Sequence, residues 1–93
     1  MLNAKQARFE TKYHRQMNEV MDRCDKAVKS AISEEKYRVI MNIDLRDITI
    51  DVCQEAVEWL KSLGYEAELQ SNGNRYYVLL VFSWEKEIDN ENF

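Results

Sequence analysis

Residues 65–84, YEAELQSNGNRYYVLLVFSW, decide the fold. In the first half, Tyr65, Ala67 and Leu69 alternate with Glu66, Glu68 and Gln70, the two-residue period of a strand with one wet face. From Arg75 onward, Tyr76, Val78, Leu80, Phe82 and Trp84 fall on one face and Tyr77, Leu79, Val81 and Ser83 on the other, so this strand is apolar on both sides. A strand of that kind belongs in the middle of a sheet. Asn72-Gly73 is the preferred pair for a type I′ turn, because both central residues need positive φ. Turning instead at Gly73-Asn74 keeps every side chain on the same face, so the pattern fixes the faces and leaves the register open.

Working upstream, Tyr37, Val39, Met41 and Ile43 alternate with Arg38, Ile40, Asn42 and Asp44, which predicts a third strand with a mostly polar second face. Between it and the hairpin, Cys53, Ala56, Val57, Leu60 and Leu63 recur at helical steps, and Gly64 suits the left-handed position that ends a helix. Asp47, Thr49 and Asp51 all qualify as its N-cap. The predicted fold class is α+β: a long N-terminal helix, then strand, helix, strand and strand, forming a three-stranded antiparallel sheet with the last strand central.

That first helix is predicted over 3–33. Asn3 followed three residues later by Gln6 is a capping-box pattern, and neither proline nor glycine occurs before Gly64. Phe9, Tyr13, Met17, Val20 and Cys24 form an apolar stripe that continues through Ala27 and Ala31. A helix from Ala4 to Ile32 is roughly 43 Å long, whereas the rest of the chain makes a globule only about 27 Å across. The helix should therefore overhang. This predicts a homo-oligomer whose interface is Phe9, Tyr13, Met17, Val20 and Cys24.

The chain has 93 residues, 45% of them apolar, which suits one small domain over 1–84 followed by an acidic, flexible tail at 85–93. No signal peptide and no apolar segment of membrane-spanning length is read, and both cysteines lie on apolar helical stripes, so a soluble protein of a reducing cytoplasm is expected. Charge is uneven. Residues 1–32 hold seven Lys or Arg against four acids, and residues 33–93 hold six against thirteen. Lys5, Arg8, Lys12 and Arg15 recur at three- and four-residue steps and share one helix face. Such a stripe can neutralise phosphates or an acidic partner, although a basic face opposite an apolar one is also what ordinary surface helices show. The alternative binding surface is the second sheet face: Arg38, Ile40, Tyr77, Leu79 and Val81 combine an apolar centre with a charged edge.

No catalytic residues, metal ligands or cofactors are predicted. His14, Cys24 and Cys53 have no metal-ligand spacing, no base is placed to activate Cys24, and Glu55 and Glu58 have the spacing of a solvated helix face.

The NAKQAR start of the first helix, the short strand, the helix ending EWLKSLGYEAEL and the hairpin closing on YYVLLVFSW together resemble a large group of short, mostly uncharacterised bacteriophage accessory proteins. The resemblance spans residues 3–84. The chain departs from the group in its longer approach to the second helix, Leu45 to Val52, and in the acidic extension after Trp84. Membership implies a phage gene product in the bacterial cytoplasm, and such products often antagonise a host enzyme, a defence protein or its nucleotide signal. The leading expectation is thus a non-enzymatic homo-oligomeric protein that binds and blocks or sequesters a host component. A nucleic-acid-binding accessory using the basic helix, and a small-ligand sponge with a pocket between protomers, are the competing expectations.

Overall fold

Strand β3 (Tyr77–Ser83) lies between β1 (Arg38–Asp44) and β2 (Glu66–Ser71) and runs antiparallel to both, the central place that its two apolar faces require. The structure is a computed structural model that describes residues 1–71 and 73–85; Asn72 of the expected turn and residues 86–93 of the expected tail lie outside the described residues. Helix α1 (Ala4–Ser33) precedes β1, and α2 (Ile50–Ser62) joins β1 to β2. Because β1 and β2 are both antiparallel to β3, they are parallel to each other, and α2 is the crossover between them. The chain is therefore α+β, with the last strand central.

Both helices pack on the same side of the sheet. Val39, Met41 and Ile43 of β1 and Val78, Leu80 and Phe82 of β3 form one core with Val52, Cys53, Ala56, Val57 and Leu60 of α2 and Val20, Cys24 and Ala31 of α1. Ile48, in the connection before α2, joins this core at 1% exposure. Its place is set by a tight turn in which the Asp47 and Ile48 amides both donate to the Asp44 carbonyl.

The hairpin register differs from a two-residue turn. Ser71 stands opposite Val78, so the connection is longer than Asn72-Gly73 would make it, and β3 begins at Tyr77. Residues 74–76 have bonds of their own. The Leu45 amide donates to the Tyr76 carbonyl at 2.8 Å, and the Tyr76 amide donates to Asn74 Oδ1 at 2.8 Å, which commits residues 74–76 to β1 and to a local turn. Tyr76, expected on the core face, is consequently exposed. Leu69 still faces Leu80 and Ala67 still faces Phe82, so the side-chain faces are those that the alternation dictates.

Helix ends follow from local chemistry. At the start of α1, Asn3 Oδ1 accepts from the Gln6 amide at 2.8 Å and Gln6 Oε1 accepts from the Asn3 amide at 3.2 Å, a reciprocal capping box. Thr49 is the N-cap of α2, yet its side chain makes no capping bond; its amide donates instead to Gln16 Oε1 of α1 at 3.0 Å. Both helices end alike. Tyr65 and Gly64 amides donate to the Leu60 and Lys61 carbonyls, and Lys36 and Glu35 amides donate to those of Ala31 and Ile32. The left-handed residue is Gly64 (φ 99°) in one and Glu35 (φ 63°) in the other.

Two outcomes test this architecture by urea denaturation. Glu35→Gly removes a side chain from a left-handed position and should stabilise the fold by roughly 1 kcal/mol. Leu80→Ala should cost about 2–5 kcal/mol, and Leu79→Ala, on the face no helix covers, much less.

Candidate binding surfaces

The first surface is the free end of α1. With 30 residues the helix is about 45 Å long, and of residues 4–15 all but Tyr13 are exposed. Lys5, Arg8, Lys12 and Arg15 lie in this segment, and among the described residues none of the four takes part in an ion pair. Further along the same helix, Asp22 and Asp25 each hold a lysine four residues on at 3.0 Å. Phe9 is 67% exposed beside the basic stripe. With Lys12, Tyr13, Gln16, Thr49, Asp51 and Val52 it lines a shallow cavity of about 170 Å³ where α1 meets the start of α2. Partial burial, with Glu55 and Asp51 nearby, raises the Tyr13 phenol above its ordinary pKa.

The stripe expected to make an oligomer is mostly spent inside the chain. Val20 and Cys24 are fully buried in the core, and Tyr13 and Met17 pack against it half-buried. Of the five residues only Phe9 is exposed. The overhang is shorter than helix length alone suggests because α1 lies across both α2 and β1.

The second surface is the sheet face away from the helices. The strand register places Ile40, Val81 and Glu68 in one row across it, Arg38, Ser83 and Glu66 in the next, and Asn42, Leu79 and Gln70 on the other side. All five residues named for this face therefore do come together. Ile40 is 59% exposed, Tyr77 and Leu79 are half-buried, and Val81 is buried. Arg38, Glu66, Glu68, Val81 and Ser83 share an open depression of about 370 Å³. Basic charge lies on the β1 side and acidic charge on the β2 side.

Arg46 closes one end of this face, and no periodicity in the sequence marks it, since it follows β1 in an irregular connection. Its Nε and Nη2 bond the Asp44 carboxylate, each at 2.9 Å, and Nη2 also donates to the Tyr77 hydroxyl at 2.8 Å. The guanidinium stacks 4.9 Å from the Tyr76 ring centre and 5.4 Å from that of Tyr77. Side-chain bonding from Arg46, with its backbone amide, holds the Asp44 carboxyl below its usual pKa. The only sequence cue is an arginine two residues after a strand-terminal aspartate.

Chemistry elsewhere is sparse. Among the described residues no three His, Cys, Asp or Glu side chains are grouped to hold a metal ion, and no helix is long and apolar enough to cross a membrane. His14 makes an edge contact with the Tyr13 ring, and Glu55 and Glu58 are exposed. Comparison with known protein families, with curated proteins and with solved structures found no match.

Both cysteines are free and buried. Burial pushes the Cys24 thiol up to about 11, against a smaller opposing pull from Arg23, and raises Cys53 for the same reasons. At pH 8 only about one Cys24 in a thousand is then thiolate. An aromatic disulfide reagent at that pH should therefore label neither cysteine in the native protein and both in urea. Rapid native labelling would show that the core around them opens.

Proposed function

We propose that this chain is a non-enzymatic accessory protein of the bacteriophage kind it resembles, acting in the bacterial cytoplasm as a homo-oligomer that binds and blocks or sequesters a host or defence component. The observation that carries the reading is the projecting end of α1, where Lys5, Arg8, Lys12 and Arg15 stand exposed and, among the described residues, outside any ion pair, beside an uncovered Phe9. Four cations on one helix face attract an anionic partner, and an adjacent aromatic ring supplies the apolar or stacking contact that turns attraction into affinity. An acidic protein surface and an anionic nucleotide signal both satisfy that chemistry.

The same stripe supports a second reading, a nucleic-acid-binding accessory. The two differ in how binding responds to salt. Contacts to a phosphate backbone weaken steeply and in proportion to the number of phosphates neutralised, and they tolerate any sequence. The chain's overall charge of −4 opposes that mode.

The test is capture of partners from bacterial lysate with the tagged protein and with a variant in which Lys5, Arg8, Lys12 and Arg15 are all changed to Gln. Loss of the captured protein or nucleotide, with circular dichroism and melting nearly unchanged, is the expected outcome, because exposed charges contribute little to stability. Unchanged capture by the quadruple variant would remove the basis of this reading. A captured species that is DNA or RNA, released by moderate salt, would favour the second.

A further inference from the structure

We propose that the helix-free face of the sheet is a dimer interface occupied by a second copy of this chain, with the two-fold axis running along β3. The argument starts from what the face lacks. The helices share a core with Val39, Met41, Ile43, Val78, Leu80 and Phe82, which leaves Ile40 exposed and Tyr77 and Leu79 half-buried on the opposite face, with Val81 buried among its neighbours there. A sheet face with exposed apolar side chains and no helix over it can pack on a second sheet.

Charge selects the occupant. Across the face, Arg38 on β1 and Glu66 on β2 stand level with each other on either side of Ser83, and Glu68 is one row further along β2. A two-fold axis parallel to β3 keeps each row at its own height while exchanging left for right. It therefore sets Arg38 of one copy over the Glu66 and Glu68 edge of the other, and by symmetry does so twice, as a self-complementary interface requires. Asn42 meets Gln70 in the same way, and Tyr77 and Leu79 of β3 lie along the axis against themselves. An axis at right angles to the strands would stack the acidic edge on itself.

The footprint sets the strength. Three strands roughly 4.8 Å apart and seven residues of roughly 3.3 Å give a face about 14 Å by 23 Å, below the roughly 800 Å² per partner of a standard interface. The dimer is accordingly weak and concentration-dependent. It rests on the homo-oligomer of the reading above but does not use the basic helix, so loss of the dimer and loss of partner capture are separate outcomes.

Sedimentation equilibrium of the full chain over low to high micromolar concentration should show a monomer–dimer equilibrium. Arg38→Glu alone and Glu66→Arg alone should each weaken it about tenfold, and the double exchange should restore it, a rescue that general destabilisation cannot produce. Leu79→Arg should abolish it, and Phe9→Glu should leave it unchanged. A monomer throughout, a double variant no better than the singles, or a dimer lost on Phe9→Glu would each overturn the proposal. So would a monomer whose Glu68 side binds a basic peptide, since the face would then belong to a foreign segment.

Discussion

Strand β3 has to satisfy its backbone on both edges at once, and that single demand organises the molecule. Its amides and carbonyls need a partner strand on each side, and the chain supplies one from before α2 and one from after it. Those two partners are parallel, so the link between them must cross over the sheet, and α2 is that link. With α2 on one face, α1 buries its own stripe against α2 and the same face of β1. The other face is left to its side chains and whatever meets them.

Where α1 stops being core and starts being exposed is fixed by a polar contact. Gln16 is 3% exposed, and its Oε1 accepts the Thr49 amide, so a buried acceptor and an otherwise unmatched helix-start donor satisfy each other. Every residue before it except Tyr13 is exposed. The bond ties the start of α2 to α1 and so orients the projecting segment that carries the basic stripe. One turn further on, Val20 and then Cys24 are sealed, and Arg23 donates across to the Asn42 carbonyl of β1. Both contacts join α1 to the body through groups that carry no fold signal in the sequence.

Much of this was legible in the chain itself, for identifiable reasons. The strand faces follow from strict alternation, and the central place of β3 from its double apolar pattern. Asn3 with Gln6, and Gly64, each mark a helix end through a side chain or a lack of one. The register was not legible, because shifting a strand along its partner by an even number of residues leaves the faces unchanged. The C-terminal cap of α1 was hidden because Glu35 occupies a position glycine usually takes. The five-residue stripe on α1 read as an interface because periodicity reports an apolar face and is silent on whether the chain itself covers it. Arg46 escaped notice since a cluster built from a connection, a strand end and a loop has no period.

The outer edge of β1 has a further meaning. Leu45 and Tyr37 pair with β3 through Tyr76 and Trp84, so odd-numbered residues of this strand face inward and the even-numbered ones turn their carbonyls and amides outward. Two of those outward carbonyls are already engaged, Asn42 by Arg23 and Asp44 by the Asp47 and Ile48 amides. A strand arriving from another molecule would have to displace them before it could extend the ladder. Growth by adding sheet to sheet edgewise has no natural end, and it is the route to fibres. With two of its carbonyls engaged, the outer edge of β1 is a poorer template for a further strand than its length suggests.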